Sequence, residues 1–179
     1  MRYIALLRGI NVGGNNLIKM IELRNSFARM GFSDVETYIQ SGNVVFSARQ
    51  TNKPKLTALI EKALSEAFSY ESKVVVVSDS EMERVVAQAP KGFGKDPAQY
   101  RYDVLFVKEA LTPGEALQEV ATTPGVDTVQ AGDHALYFRR LVSKATQSKL
   151  NKLVQRPVYK NLTIRNWNTT MKLLQMVAK

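Results

Sequence analysis

A loop rich in glycine and asparagine follows the first apolar run of the chain, with the sequence RGINVGGNN at residues 8–16. A glycine-rich turn between a strand and a helix exposes backbone N–H groups, and the helix dipole adds partial positive charge, so such a turn can bind a phosphate. Arg8 at the end of the strand and Lys19 at the start of the helix would add full charges. The same composition can also serve the backbone alone, since glycine and asparagine tolerate positive φ angles.

The spacing of the glycines differs from that of two well-known phosphate motifs. Gly9, Gly13 and Gly14 are not followed by the Lys-Ser/Thr pair that holds phosphate and magnesium in a P-loop. They also depart from the Gly-x-Gly-x-x-Gly spacing of dinucleotide-binding folds. An anion bound here would therefore be held by a loop of another kind.

A second polar turn, QSGN at residues 40–43, is predicted to lie beside this loop. The flanking residues alternate as a β-hairpin does, and in a split βαβ sheet the first and third strands are antiparallel neighbours. The two turns then form one polar rim, whose candidate ligand-binding residues are Arg8, Asn11, Gly13, Gly14, Asn15, Lys19, Gln40, Ser41 and Asn43. These residues offer hydrogen-bond donors and acceptors but few titratable groups, which suits binding better than proton transfer. The alternative is that QSGN serves only as good turn chemistry.

A third candidate region, IRNWNTT at residues 164–170, precedes the last predicted helix. Trp167 is the only tryptophan of the chain, and it stands among Arg165, Asn166 and Lys172. An aromatic ring with neighbouring cations can stack a nucleobase and bind its phosphate. The alternative is that Trp167 anchors the helix in the core while an asparagine caps it.

The positive charge of the chain is concentrated in its last quarter. The formal net charge is +9, and residues 134–179 contain ten Lys or Arg residues and no Asp or Glu. The remainder has 15 of the 25 Lys and Arg residues against all 16 Asp and Glu residues, so it is nearly neutral. A field of one sign attracts nucleic acid, nucleotides or acidic proteins, although a solvated basic face has the same composition.

The composition disfavours several kinds of chemistry. The chain has no cysteine, which removes disulfides, thiolate nucleophiles and cysteine-ligated zinc. Its one histidine, His134, is predicted in a hairpin turn, and the sequence has no Gly-x-Ser-x-Gly elbow. We therefore predict no metal site and no cofactor, and we assign no residue a catalytic role. No apolar run approaches the roughly 20 residues of a membrane span, so we expect a cytoplasmic protein without membrane contact.

The elements that would position these residues follow a split βαβ order. Hydrophobic periodicity predicts strand–helix–strand–strand–helix–strand over residues 1–78, and the same order starts again at Asp103. This indicates an α+β protein of two ferredoxin-like lobes, each an antiparallel sheet with helices on one face. The predicted boundaries are a first lobe at 1–90, a linker rich in Gly and Pro at 91–101, and a second lobe with basic C-terminal helices at 102–179. One of those helices is expected to begin at Ser143 and to end at Pro157.

Three segments resemble those of a widespread, mainly bacterial protein family of unknown function. They are ALLRGINVGG at the start, TYIQSGNVVF at the first hairpin and TIRNWNTTMKL at the last helix, so the resemblance extends over essentially the whole chain. It implies a pair of ferredoxin-like lobes, in agreement with the predicted order of elements. It implies no activity and no catalytic residues.

These observations favour three functions. The first is a binding module for an anionic ligand, either a nucleotide-like small molecule or nucleic acid, contacted by the loop, the turn and the basic C-terminal region. The second is an enzyme that acts on a phosphorylated metabolite in the same cleft, with Arg8 and Lys19 as electrophilic clamps. The third is a protein-interaction module without a small-molecule site. In each case we expect a monomer or a weak dimer.

Overall fold

In the computed structural model, the chain is described over residues 1–49 and 52–179 and forms two compact units. The first unit comprises Met1–Met82 with Leu173–Lys179, and the second comprises Glu83–Lys172. Each unit contains a four-stranded antiparallel sheet with the strand order of a split βαβ fold. The predicted α+β fold of two ferredoxin-like lobes is confirmed.

The first unit contains four strands and two helices. In chain order they are β1 (Arg2–Leu7), α1 (Met20–Arg29), β2 (Ser33–Tyr38), β3 (Asn43–Ser47), α2 (Lys53–Phe68) and β4 (Val74–Ser78). The sheet order is β2-β3-β1-β4, so β1 and β3 lie at its centre. A further helix, α3 (Asp79–Ala87), follows β4 directly and contains the boundary between the units.

The core of the first unit follows from two periodicities. Alternation along β1 and a spacing of four along α2 bring six fully buried side chains into one cluster: Tyr3, Ala5, Leu7, Leu56, Ile60 and Leu64. Phe27 of α1 packs edge-on against Phe46 of β3, with 5.3 Å between the ring centroids. β1 is therefore held rigidly, and it ends where the Gly/Asn loop begins.

The second unit repeats the arrangement with a different connection before its last strand. Its elements are β5 (Tyr100–Val107), α4 (Pro113–Glu119), β6 (Asp127–Ala131), β7 (Ala135–Leu141), three 3₁₀ helices (Val142–Gln147, Lys149–Gln155 and Pro157–Asn161), β8 (Leu162–Asn166) and the start of α5 (Trp167–Val177). The residues of α5 from Leu173 onward belong to the first unit. The sheet order is β6-β7-β5-β8, and the apolar core contains Leu105, Leu136 and Phe138.

The predicted α-helix from Ser143 to Pro157 is wrong, because this stretch forms 3₁₀ turns. The buried carboxylate of Asp127 explains the difference: Ser148 Oγ donates to its Oδ1 at 2.6 Å, and Lys149 N donates to its Oδ2 at 2.9 Å. Ser148 has the extended angles φ −64° and ψ 135°, so a helix cannot run through it. Side chains that bond locally to the backbone compete with helices in this way.

Residues 91–101, the predicted linker, are part of the second compact unit. Phe93 packs against Tyr102, Tyr137 and Trp167, with centroid distances of 4.9, 5.6 and 5.2 Å. Asp96 N also donates to Tyr102 Oη at 3.1 Å. The segment is therefore packed onto the sheet, and the compact units divide at other positions than 90 and 102.

Candidate functional site

The Gly/Asn loop of the first unit lies beside the Gln40–Asn43 turn, as the topology predicts. The amide of Asn11 makes the contact, because its Nδ2 donates to Gln40 O at 2.8 Å and to Ile18 O at 3.0 Å. Its Oδ1 accepts from Ile18 N at 2.8 Å. Both side-chain N–H groups of Asn11 are thus committed to the backbone of the loop and the turn.

The backbone of the loop is closed by its own hydrogen bonds. Asn11 N donates to Asn16 O at 3.1 Å, and Asn16 Nδ2 donates to Gly9 O at 2.8 Å. Asn11, Asn16 and Gly13 have φ angles of 53°, 48° and 58°, which asparagine and glycine tolerate best. The backbone conformation of the loop therefore explains much of its glycine and asparagine content.

The remaining candidates of the first unit differ in exposure. Asn43 is fully buried, and its Nδ2 donates to Tyr38 O at 2.9 Å and to Ser41 Oγ at 3.1 Å. Arg8 and Ser41 are half-buried, whereas the exposed candidates are Gly13, Gly14, Asn15, Lys19 and Gln40. Asn43 thus stabilises the turn rather than lining a surface.

The loop and the chain that continues from it into α1 expose more apolar surface than the polar sequence of the loop suggests. Val12, Leu17 and Ile21 are 62%, 75% and 58% exposed. Phosphate binding requires N–H groups and cations at the surface, and these three side chains supply neither. The loop therefore presents a mixed surface, with Lys19 as its exposed cation.

Trp167 and Asn166 lie at the start of α5 in the second unit. Asn166 Oδ1 accepts from Thr169 N at 2.8 Å, which is the capping role that the sequence left open. Trp167 is half-buried, and its ring lies against Gly94, where an added Cβ would come within 2.2 Å of Trp167 Cδ1. The tryptophan anchors the helix and still exposes part of its ring.

The two predicted basic residues near Trp167 have different environments. Arg165 is buried, its Nη1 donates to Ile164 O at 2.9 Å, and burial lowers its pKa to about 10. Lys172 is exposed on α5. Arg165 therefore belongs to the interior, while Lys172 can meet a ligand only at the surface.

A cavity of about 420 Å³ opens beside Trp167 in the second unit. This volume is within the range of about 300–1,000 Å³ that is usual for ligand pockets. Its lining includes three aromatic rings and three charged groups, those of Tyr100, Tyr102, Trp167, Arg101, Asp103 and Arg140. Such a lining suits a planar ligand with polar edges.

Asp103 and Arg140 face each other in this cavity without a hydrogen bond between them. Asp103 Oδ2 and Arg140 Nε are 3.8 Å apart, and neither atom has a hydrogen-bond partner among residues 1–49 and 52–179. Burial raises the pKa of Asp103 above its usual range, although the positive charges of Arg140 and Arg101 act in the opposite direction.

A smaller cavity of about 140 Å³ shares Tyr102 with the larger cavity as a lining residue. Its polar lining is formed by Lys91, Thr128, Gln130 and Arg139, and no acidic side chain is among the described residues that line it. The Arg139 guanidinium stacks on the Tyr100 ring, with Cζ 4.4 Å from the ring centroid. Two cations without a carboxylate make this cavity suitable for an anion.

Other features of the described chain bear on the predicted classes. Over residues 1–49 and 52–179, no helix is long and apolar enough to cross a bilayer. Within the same ranges, no three His, Asp or Glu side chains come together as metal ligands would.

Comparison with known proteins supplies a family. Residues 1–137 match the family described as protein of unknown function (DUF1697). The chain belongs to the DUF1697 family. No curated protein matches the chain. Among solved structures, the conserved bacterial protein SP0830 from Streptococcus pneumoniae is similar at 28% identity, with a TM-score of 0.86 over 98% of each chain.

Membership in DUF1697 confirms the resemblance seen in the sequence and supplies no activity. Sequence reasoning on this DUF1697 chain did not find Lys91, Tyr102, Asp103 or Arg139 as site residues. A signal exists in YRYD and YFRR, where aromatic and charged residues lie close together on two strands. Tyr102 pairs directly with Arg139 in the register of β5 and β7, so the pattern brings a ring and a cation together.

Proposed function

We propose that this DUF1697 protein is a binding module for an anionic, nucleotide-like ligand, and that the second unit binds it. The observation that carries the proposal is the smaller cavity, whose lining contains Lys91 and Arg139 and no carboxylate among the described residues. A phosphate group placed there would accept charge-assisted hydrogen bonds from both cations. The basic composition of the C-terminal region is consistent with this ligand.

Arg139 is prepared for such a contact. The cation–π contact with Tyr100 restrains its guanidinium, so less side-chain entropy is lost on binding. Its Nε is buried and has no hydrogen-bond partner in the part of the chain that the structure describes. A ligand cannot reach this buried atom, so the contact with a phosphate would fall to the terminal guanidinium nitrogens.

The larger cavity supplies the aromatic half of the proposal. Trp167 is half-buried and offers part of its ring for stacking, and base–aromatic stacking is worth about 1–3 kcal/mol per base. Both cavities border Tyr102, and the proposed ligand would hold its phosphate at Arg139 and its base beside Trp167. A mononucleotide has both a phosphate and a base, the two groups that the proposal assigns to the two cavities.

The alternatives are supported less well. An RNA platform needs aromatic rings exposed on the central strands, whereas Tyr102 and Tyr137 are 7% and 2% exposed beneath Phe93. For an enzyme, Tyr137 is a poor acid–base group, because burial and the charge of Asp133 raise its pKa to about 12 and its Oη donates to Val85 O. The clamp role of Arg8 and Lys19, the cytoplasmic location and the monomeric or weakly dimeric state stay predictions.

The test is a thermal-shift series on the full chain with inorganic phosphate, pyrophosphate and nucleoside monophosphates. A ligand that binds only the folded state stabilises it by about 2.7 kcal/mol at 100 times its Kd. We expect a rise in Tm with the nucleotides that is lost in Arg139→Gln, each variant being compared with its own unliganded Tm. Lys152→Gln, which removes an exposed cation of the same unit, should keep the full rise.

Two results would contradict the proposal. One is the absence of any Tm rise with phosphate or nucleotides in the unmodified chain. The other is a rise that persists in Arg139→Gln and disappears in Arg8→Ala, which would place the site at the Gly/Asn loop instead.

A further inference from the structure

We propose that β6 is a docking edge for an extended, acidic peptide segment of a partner protein, which adds to the four-stranded sheet of the second unit as a further strand. The inference goes beyond the proposed nucleotide binding and does not depend on it. It rests on the exposed edge of β6 and on the cations beside that edge. In this mode of recognition the main chain of the peptide supplies hydrogen bonds, and its alternate side chains supply specificity.

The backbone of β6 has pairing capacity that the sheet does not use. The sheet order places β6 beside β7 alone. Within the described chain, residues 128–131 make no backbone hydrogen bond other than those of the ladder with β7. Thr128, Gln130 and Ala131 are exposed. A row of N–H and C=O groups is thus open along this edge, and such a row is a template for another strand.

The other edge strands of the two sheets are protected in ways that β6 is not. β2 carries the charged side chains of Asp34 and Glu36, and its register with β3 shifts between Ser33 and Glu36. β4 is buried along its whole length, and most of β8 is buried. Charges, irregular register and burial are the usual means by which proteins prevent edge pairing. β6 pairs with β7 in regular register and has no charged side chain after the buried Asp127.

The face of β6 that carries Thr128 and Gln130 determines the charge of the partner. Thr128 pairs with Arg139 of β7, and both residues line the smaller cavity together with Gln130 and Lys91. Residues directly opposite each other on neighbouring strands lie on the same face of a sheet, so residues added opposite Thr128 and Gln130 would project on the cavity side. Lys91 and Arg139 make that side positive, and no acidic side chain is among the described residues that line the cavity. We therefore expect glutamate or aspartate at these two positions of the partner.

The opposite face of β6 requires an apolar side chain. Val129 packs against the apolar core of the second unit, and a residue added opposite Val129 would extend this surface, so valine or isoleucine fits there. The partner is thus a segment in which acidic and apolar residues alternate. A second copy of β6 does not match, because its exposed residues carry no acid and the pairing would bring two basic cavities together.

The experiment is a fluorescence-anisotropy titration of the full chain with a labelled peptide of sequence Val-Glu-Val-Glu-Val, which has the five-residue length of β6. Its sequence reads the same in both directions, so it tests parallel and antiparallel addition alike. We expect binding that weakens as salt is raised, and binding about tenfold weaker for the peptide with lysine in place of glutamate. The amides of residues 128–131 should exchange hydrogen more slowly when the peptide is bound.

Two further comparisons separate strand addition from simple charge attraction. N-methylation of the glutamates and N-methylation of the valines block opposite edges of the peptide, so we expect one of these peptides to bind and the other to fail. Gln130→Glu adds a carboxylate on the cavity side of β6 and should weaken binding about threefold to fivefold. Gln155→Glu, the same change at an exposed position of the same unit, should leave binding unchanged.

The contradicting outcomes are distinct from one another. Absence of binding, equal binding of the acidic and the lysine peptides, equal binding of the two N-methylated peptides, or unchanged hydrogen exchange at residues 128–131 would overturn the inference. A dimer of the free chain that the peptide disrupts would assign the edge to a second copy and likewise overturn it. The titration contains no nucleotide, so its failure leaves the Arg139-dependent rise in Tm as a separate test of the proposed function.

Discussion

The Gly/Asn loop of the first unit and the larger cavity of the second unit use their polar side chains in opposite ways. In the loop, Asn11 gives both of its N–H groups to the backbone, and Asn43 is buried in the neighbouring turn. In the cavity, Asp103 Oδ2 and Arg140 Nε have no hydrogen-bond partner in the described chain. A dense run of polar residues in the sequence is therefore a poor guide to side chains whose hydrogen-bonding capacity the fold leaves unused.

The reason lies in how the backbone is satisfied. A loop without ladder hydrogen bonds must pair its N–H and C=O groups with side chains, so its asparagines are consumed locally. A strand pairs its backbone with neighbouring strands, and its polar side chains keep their bonding capacity. Asp103 and Arg139 stand on such strands, whereas Asn11 stands in such a loop.

The largest effect is expected for Gly94→Ala. An added Cβ would lie 2.2 Å from Trp167 Cδ1, in a residue with φ +82°. Phe93 packs against the same ring, so Trp167 cannot shift freely. Overpacking and the left-handed backbone together predict a loss of about 2–4 kcal/mol in the free energy of unfolding. Urea denaturation followed by the fluorescence of Trp167 measures this loss.

The matched control for that variant lies in the loop. Gly14→Ala changes a residue with φ +76°, but no atom lies within 4 Å of the added Cβ. Only the backbone penalty remains, about 1 kcal/mol. Equal losses of stability in Gly94→Ala and Gly14→Ala would show that Trp167 is not held against Gly94. The cavity beside Trp167 would then lack a fixed wall.

The next effect concerns Asn11→Gly, which keeps the positive φ of 53° accessible while removing the amide. Three hydrogen bonds to Ile18 and Gln40 are lost, so we expect the free energy of unfolding to fall by about 2 kcal/mol. Thermal and urea denaturation measure it. Asn15→Ala, at an exposed position of the same loop, should change stability by less than about 0.5 kcal/mol. If Asn11→Gly lost ligand binding but not stability, Asn11 would serve a ligand and not the fold, and the comparison between the loop and the cavity would be reversed.

The sequence predicts the fold and the neighbourhood of the two turns well, because both depend on local patterns. Alternation in β1 and helical spacing in α2 fix the core side of each element, and the split βαβ order then brings Asn11 next to Gln40. These steps need only periodicity and topology.

The cavities are not predictable in the same way. They depend on Phe93, which looks like part of a linker, packing against Trp167, and on the strand register that pairs Tyr102 with Arg139. The 3₁₀ turns likewise depend on Asp127 meeting Ser148, a contact between separate elements. Contacts between distant residues leave no periodic signal in a single sequence.

The smallest effects concern how stability changes with pH. This change should have opposite signs for Glu81 in the first unit and Asp103 in the second unit. In the first unit, desolvation acts to raise the pKa of Glu81, but hydrogen bonds from Lys53 Nζ at 2.6 Å and Ser78 N at 2.8 Å outweigh it and lower the pKa. A carboxyl with a lowered folded-state pKa stabilises the fold above its unfolded pKa, and this stabilisation is lost as the pH falls. Glu81→Gln should therefore unfold about 1 kcal/mol more easily at pH 7 and match the unmodified chain near pH 3.

Asp103 should behave in the reverse sense. Its folded-state pKa is raised by burial, so ionisation disfavours the folded state, and stability falls as the pH rises through that pKa. Asp103→Asn removes this loss. The free energy of unfolding of the variant, relative to that of the unmodified chain, should therefore rise between pH 3 and pH 7, by less than the change expected for Glu81→Gln. The difference in urea midpoint between each variant and the unmodified chain, plotted against pH, gives one slope per variant. Two slopes of the same sign would refute the contrast.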